Sequence, residues 1–125
     1  MQALSSCLPG LAPAGHYASA MVHDGLVHVS GTLPAPEALA QPFEAQMRSL
    51  LAHCDAVLQQ AGSDATHVLS LTVYLTDLGD WEQADALLAD YFGAHRPARA
   101  MLNVQAIRKG FAVQATLVAA TRSAA

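Results

Sequence analysis

The stretch YASAMVHDGLVHVSGTLP, residues 17–34, decides the fold because it predicts two strands joined by a tight turn. Two runs rich in apolar and β-branched residues flank His23-Asp24-Gly25, and Asp-Gly is typical of a two-residue hairpin turn. A loop marked by three prolines follows, at Pro34, Pro36 and Pro42. The chain therefore opens its main sheet with a β-hairpin.

Two helices are predicted beyond this hairpin. Residues 43–62 carry apolar side chains at helical spacing and end at Gly62. The second helix begins at Asp80, with Gln83 placed as a capping-box partner, and ends at Gly93. Its expected buried stripe consists of Trp81, Ala84, Leu87, Leu88, Tyr91 and Phe92.

Three further strands complete the predicted order ββαβαββ. Residues 67–76 alternate, and the last two strands cover about 99–105 and 111–121. One face of the first of these strands is expected to carry Leu69, Leu71, Val73 and Leu75. Two helices cover only one face of such a sheet. Because the other face bears small and mildly polar residues instead of charged rows, we infer that it meets other subunits.

Composition favours one domain that associates with copies of itself. The chain has 125 residues, of which 53% are hydrophobic and 13% charged, more apolar material than a small monomer buries easily. A net charge of -4 without a basic run argues against a nucleic-acid partner. No apolar stretch has the length of a membrane span. The first ten residues lack the basic start of a secretory signal, and Cys7 and Cys54 form no disulfide framework, so we expect the cytoplasm.

Few side chains show the spacing of a catalytic site. The six histidines lack a close metal-ligand spacing such as H-x-x-x-H, so we expect no metal. Cys54 falls in a helix stripe, which favours packing over nucleophilic chemistry. Ser30 lies in V-S-G instead of a G-x-S-x-G elbow. Arg99, in HRPARAML (95–102), is either a solvated strand end or is directed at an anion.

Six short motifs in order resemble the Rid family, also called YjgF or L-PSP endoribonuclease-like proteins. The similarity covers nearly the whole chain, and the matching intervals make it specific although each motif alone is weak. The family pattern P-G-x-Y-S is echoed at 14–18, V-S-G-Q-x-P at 29–34, A-G-S at 61–63, T-V-F-L-T-D at 72–77, Y-F-x-x-x-x-P-A-R at 91–99 and P-K-G at 108–110.

The resemblance implies a chorismate-mutase-like α+β fold: a single mixed sheet with two helices on one face, one domain over residues 1–125, and a homotrimer with clefts between subunits. It implies that Arg99 binds the carboxylate of a small imine or enamine, since a planar guanidinium meets a carboxylate in two parallel hydrogen bonds. The family reaction is hydrolysis to a 2-oxo acid and ammonia, and no cofactor is expected. Carried over by position, the other cleft residues are Tyr17 and Ser30 as lining, Gly31 and Met101 as backbone donors or acceptors, and Tyr91 as a wall.

Gln114 is the main departure from the family pattern. It stands fifteen residues after Arg99, where deaminating members have a glutamate that activates water, and an amide can hold a water but cannot take its proton. Thr116 and Thr32 replace a second glutamate and a glutamine. Two other functions therefore stay open. One is a non-catalytic protein that binds a small carboxylate in the same cleft, which Gln114 favours; the other is a ribonuclease, against which the acidic balance argues.

Overall fold

The computed structural model describes residues 1–6 and 11–124 and forms one six-stranded sheet with two helices. The elements are β1 (Gln2–Leu4), β2 (Ala20–His23), β3 (Leu26–Thr32), α1 (Phe43–Gln60), β4 (Val68–Leu75), α2 (Trp81–Phe92), β5 (Ala98–Asn103) and β6 (Val113–Ala120). The strand order is β1-β2-β3-β6-β4-β5, and only β4 and β5 run parallel among these pairs. This mixed sheet confirms the predicted α+β class. The sequence does not predict β1, because three residues are too few to show alternation.

The hairpin of β2 and β3 forms at the predicted turn. Asp24 and Gly25 have φ values of 50° and 77°, the left-handed pair that a type I′ turn requires. The register pairs His23 with Leu26 directly beside the turn. An Asp-Gly dipeptide therefore sets the pairing of the two strands, as the sequence predicts.

Both helices pack on one face of the sheet. In β6 the residues Val113, Ala115, Leu117 and Ala119 are buried, while the intervening residues are half-buried and face away from the helices. The helices contribute most of the remaining core: Met47, Leu50, Leu51, Cys54, Val57, Leu58, Ala84, Leu87, Leu88 and Phe92. The prediction that the helices cover one face is confirmed.

The expected apolar face of β4 is wrong at one position. Leu69 is 50% exposed, whereas Val68 is fully buried. The register against β6 shifts between Val68 and Ser70, so β4 carries one extra residue there. Such a bulge reverses the alternation locally, which simple period-two counting does not reproduce.

The predicted capping box of α2 does not form. Asp80 makes no capping hydrogen bond; instead the Asp77 carboxylate accepts a bond of 2.8 Å from the Gly79 N–H and starts a 3-10 turn that leads into α2. Gln83 donates to Glu44 of α1 at 3.5 Å. Trp81, expected in the buried stripe, is 37% exposed.

A buried amide on α1 connects three segments of the chain. The Gln46 Nε2 group donates to the carbonyls of Leu39 and Gln41 at 3.3 and 3.2 Å, and its Oε1 accepts a bond of 2.8 Å from the Ala112 N–H. Gln46 is 5% exposed. It therefore fixes both the loop before α1 and the segment that enters β6. A stripe of apolar residues does not predict this role for a polar side chain.

The Cys54 thiol is free and fully buried in α1, while Cys7 lies outside the described residues. Burial raises the pKa of Cys54 to about 12, which outweighs the opposite effect of a hydrogen bond with Thr32. The thiol stays neutral near pH 7, in agreement with a packing role. Neither α1 nor α2 is both long and apolar enough to cross a membrane.

Candidate functional site

A pocket of about 210 Å³ opens beside β3 and contains three of the predicted cleft residues. Tyr17, Ser30 and Gly31 all contribute to its wall. The remaining lining comes from the segments on either side of the hairpin and from the chain before β6, including Leu11, Ala14, Leu33, Pro34, Pro36, Arg108, Lys109 and Phe111. The structure therefore brings these three predicted residues together in one chain.

Ser30 is held by backbone contacts in an irregular part of β3. Between Val29 and Thr32 this strand has one residue more than β6, which bulges the chain at Ser30 and Gly31. The Ser30 hydroxyl donates a bond of 2.6 Å to the Ala18 carbonyl. Because its proton is committed to a carbonyl and not to a base, Ser30 is not an activated nucleophile. Its oxygen can still accept a hydrogen bond from a ligand.

Tyr17 forms the exposed side of the pocket. Its side chain is anchored by a bond of 3.4 Å that its hydroxyl accepts from the Ala14 N–H, and its own N–H donates to the Gly15 carbonyl at 3.0 Å. The residue is nevertheless 49% exposed. An aromatic ring that is held at its hydroxyl but exposed on one side can contact either a ligand or a second subunit.

Gln114 of β6 lies directly against Gly31. A side-chain carbon at position 31 would lie 2.7 Å from the Gln114 Nε2 atom, closer than real contacts allow. Glycine at this position thus leaves the space that the amide occupies. Within residues 1–6 and 11–124 the Gln114 amide has no hydrogen-bond partner. It lies on the face of the sheet that the helices leave uncovered, and its donors and acceptor are free to hold water or ligand.

Arg99 lies in a different part of the chain. It is on the edge strand β5, in register with Leu71, and its Nη1 atom is 2.6 Å from Oδ1 of Asp85 on α2. Its guanidinium carbon lies 5.3 Å from the centre of the Trp81 ring, a cation–π contact. The charge is therefore not a solvated strand end: it is directed at a carboxylate of its own chain. Arg99 also borders a groove of about 490 Å³.

The strand order separates Arg99 from the Tyr17 pocket. Strands β6 and β4 lie between β3 and β5, and neighbouring strands are about 4.8 Å apart, which places the two strands roughly 14 Å from each other. A single chain does not bring Arg99 to Ser30 and Gly31. A ligand that touches both would have to lie between two chains.

Arg99 and Gln114 do not line the Tyr17 pocket, although Gln114 touches Gly31, and two further predicted positions, Tyr91 and Met101, also lie outside it. The Tyr91 hydroxyl donates a bond of 2.7 Å to Asp55, which ties α2 to α1, and burial together with this bond raises the pKa of Tyr91. Tyr91 lines neither the Tyr17 pocket nor the Arg99 groove. Met101 is in register with Val73 and packs against the core. Its side chain faces the helices.

Arg108 and Lys109 line the Tyr17 pocket although they were not expected there. They form a 3-10 turn that covers Arg108–Gly110, between β5 and β6. The P-K-G similarity marks this turn but does not say which pocket it borders, since that depends on contacts between distant segments. Position 108 carries an arginine where the family pattern has proline.

Several histidines are engaged within the chain. His53 contacts the Leu33 carbonyl at 2.9 Å, and His95 contacts the Val68 carbonyl at 2.7 Å. In the part of the chain that the structure describes, no three histidine, cysteine or acidic side chains are grouped as metal ligands. The polar groups that line the Tyr17 pocket include the hydroxyls of Tyr17 and Ser30 and the cations of Arg108 and Lys109.

The family model described as Endoribonuclease L-PSP matches residues 9–121. The chain belongs to this family. Rid and YjgF are other names of the same family, and one similar protein in it is named as an imine deaminase. The chain is 32% identical over 114 residues to the 2-iminobutanoate/2-iminopropanoate deaminase of Capra hircus, covering 86% of this chain and 83% of the relative.

Solved Rid structures share the fold closely. YyfA from Yersinia pestis, of the conserved Rid protein family, superimposes with a TM-score of 0.88 at 28% identity, covering 94% of this chain and 98% of that one. RidA from the Antarctic bacterium Psychrobacter sp. PAMC 21119 gives 0.89 at 28% identity, covering 96% and 99%. The Rid resemblance drawn from the short motifs is confirmed.

Proposed function

We propose that this Rid family protein hydrolyses a small carboxylate-bearing imine or enamine to a 2-oxo acid and ammonia. The observation that carries the proposal is the adjacency of Tyr17, Ser30 and Gly31 in one pocket, with the Gln114 amide packed against Gly31. These are the positions that the family resemblance assigns to the cleft. The 32% identity to an imine deaminase adds support.

A homotrimer is part of this proposal, because the site needs Arg99 from a second chain. The uncovered sheet face offers a suitable interface: it carries no charged side chain in its centre, where Ser70, Thr72, Thr116 and Val118 surround a hollow of about 260 Å³. Leu102 at the edge is 47% exposed. In the proposed assembly, β5 of one subunit lies against the Tyr17 pocket of the next.

The carboxylate of the substrate binds to Arg99 in the proposed site. Asp85 occupies Nη1, and a guanidinium has five N–H donors in all, so donors remain for a forked pair with the ligand. Asp85 also fixes the direction of the guanidinium. Positioning the carboxylate at one end holds the imine carbon near Gln114.

Water then attacks the carbon of the protonated imine, which an enamine substrate forms by taking a proton from solvent at its β-carbon. The Gln114 carbonyl oxygen accepts a hydrogen bond from that water, while the released proton passes to solvent since an amide is no base. The C–O bond forms first and gives a tetrahedral amino alcohol. The nitrogen of the amino alcohol then takes a proton from solvent. As the C–N bond breaks and ammonia leaves, the hydroxyl group loses its proton to solvent and the C=O bond of the 2-oxo acid forms.

A second function is supported by Gln114 itself. Without a carboxylate at this position, the same pocket can bind a 2-oxo or amino acid and report its level without turning it over. This non-catalytic protein would use the same Arg99 contact. In either case a buried free thiol such as Cys54 fits the reducing cytoplasm, which we propose as the compartment.

The deciding experiment measures ammonia release from freshly generated 2-aminoacrylate and from longer imino acids. The wild-type protein should exceed the spontaneous rate, and Arg99→Ala should not. Arg48→Ala, which removes an exposed cation paired with Glu44 on α1, is the matched control and should retain the wild-type rate. Binding of 2-oxo acids without any ammonia release above the spontaneous rate would establish the non-catalytic function instead.

A further inference from the structure

Two adjacent cations border the Tyr17 pocket without acidic partners. The chain has six basic and ten acidic residues, so most cations could find a carboxylate. Three do so, in the pairs Arg48–Glu44, Arg99–Asp85 and Arg122–Asp64. Within residues 1–6 and 11–124, the other three, Arg96, Arg108 and Lys109, have neither an ion pair nor a side-chain hydrogen bond, and of these only Arg108 and Lys109 line the Tyr17 pocket. Their charges are thus available to a ligand in the pocket that they line.

The turn that carries these cations is firmly held. Ile107 before it and Phe111 after it are buried, at 7% and 2% exposure. The Gly110 N–H donates to the Ile107 carbonyl at 3.0 Å. Lys109 itself has φ 64°, a left-handed conformation that residues other than glycine seldom adopt. Buried flanking residues and a fixed backbone therefore set where both side chains leave the main chain.

We propose that this turn binds a second anionic group of the ligand, so that the preferred substrates are imines or enamines of dicarboxylic acids. The inference rests on the proposed function, in which Arg99 takes the carboxylate next to the imine carbon. That carboxylate and the turn then lie at opposite ends of the substrate. Arg108, in place of the family's proline, gives this pocket a second cation and with it a preference for dianions.

The fit follows from charge and geometry. A carboxylate on a short chain can accept hydrogen bonds from both cations, and charge-assisted bonds are about twice as strong as neutral ones. The net charge of -4 disfavours dianions elsewhere on the surface, which makes this local positive region selective. A monocarboxylate with an apolar tail leaves both cations solvated and gains nothing from them.

The test compares two stable five-carbon 2-oxo acids by calorimetric titration: 2-oxoglutarate, with a second carboxylate, and 2-oxopentanoate, without one. We expect 2-oxoglutarate to bind about tenfold more tightly, since each exposed ion pair is weak but two of them act on the same carboxylate. The preference should shrink in each of Arg108→Gln and Lys109→Gln, and disappear in the double variant. It should also weaken as salt is raised. Arg48→Gln, which removes a distant cation, should leave it unchanged.

The outcomes separate this inference from the proposed function. Equal affinities for the two acids, together with normal imine hydrolysis, would overturn the dicarboxylate preference alone. An unchanged preference in the double variant would also overturn it, provided that the thermal unfolding midpoint shows the variant to be folded. Inorganic phosphate that binds as tightly as 2-oxoglutarate, and loses affinity in the same variants, would replace the dicarboxylate by free phosphate. A preference for 2-oxoglutarate in a protein that releases no ammonia would support the dicarboxylate site and would overturn the proposed hydrolysis in favour of the non-catalytic binding function.

Discussion

The Arg99 guanidinium lies 2.6 Å from the Asp85 carboxylate and over the Trp81 ring, so its charge already has a partner before any ligand arrives. Arg99 is 29% exposed and Asp85 46% exposed. Because both side chains are partly exposed, the Arg99–Asp85 ion pair contributes little to the stability of the fold. Its main effect is to fix the direction in which the remaining N–H donors of Arg99 point.

Removing Arg99 should weaken binding of small 2-oxo acids while leaving the fold almost unchanged. A ligand carboxylate that loses its partner in a partly dry cleft costs about 2–5 kcal/mol, which is at least roughly a 30-fold loss of affinity. Arg99→Lys should recover only part of it, since an ammonium lacks the two-pronged geometry. Titration with pyruvate or 2-oxobutyrate measures the effect. If wild type, Arg99→Ala and Arg99→Lys bind these acids with equal and clearly detected affinity, Arg99 pairs with Asp85 and does not bind the ligand.

A carboxylate at position 114 should accelerate imine hydrolysis. Glutamate fits the space beside Gly31 that glutamine already occupies, and general-base help is worth roughly 10²–10⁴-fold when the geometry is right. Gln114→Glu should therefore release ammonia faster, whereas Gln114→Leu, of similar size but without polar atoms, should not. An unchanged or lower rate in Gln114→Glu would mean that position 114 does not reach the attacking water.

The uncovered sheet face should hold a homotrimer together, which light scattering at micromolar concentration tests as three times the chain mass. Thr116 and Ala115 are neighbours on opposite faces of β6, half-buried and 3% exposed respectively. Thr116→Asp should give a folded monomer. Ala115→Asp should destabilise the fold itself by about 3 kcal/mol or more, because its charge is buried under the helices without a partner. A wild-type protein that is monomeric would remove the basis for a shared cleft.

The buried Cys54 thiol should make the fold sensitive to high pH. Its pKa rises from 9.0 to about 12 on folding, so between these values the unfolded chain loses a proton that the folded chain keeps. The contribution of the neutral thiol to the free energy of unfolding is complete below pH 9. It is lost as pH rises toward 12, by at most about 1.4 kcal/mol per pH unit. Urea unfolding at stepped pH measures it, and Cys54→Val should lack this part of the alkaline loss. Near pH 8, thiol labelling in a Cys7→Ser background should proceed only as fast as the chain unfolds; rapid labelling would contradict the burial.

Local patterns predict the elements well because each depends on a few consecutive residues. The turn at Asp24-Gly25 and the apolar stripe of α1 are of this kind. The exposed Leu69 and the cap at Asp77 are not, since a bulge and a 3-10 turn are decided by pairing with another strand and by the approach to a helix. Periodicity alone does not contain that information.

The same limit applies to the site. Tyr17, Ser30 and Gly31 lie together because one hairpin carries Ser30 and Gly31 and the segment before it carries Tyr17, and sequence motifs preserve such local groups. The Arg99–Asp85 pair and the place of Arg108 beside this pocket arise from contacts between separate elements. Family resemblance assigns a role to Arg99, but it does not show that Asp85 already holds that side chain.

Gln46 of α1 connects the helix to two segments near the pocket. Its carbonyl oxygen holds Ala112, close behind the turn with Arg108 and Lys109, while its nitrogen holds the loop before α1. A glutamate would keep the first contact and lose the second, and a lysine would do the reverse, so only a primary amide of this reach serves both. Gln46 thus links α1 both to this loop and to the segment that follows the cationic turn, so we expect a shift of α1 against the sheet to displace the charge at the pocket.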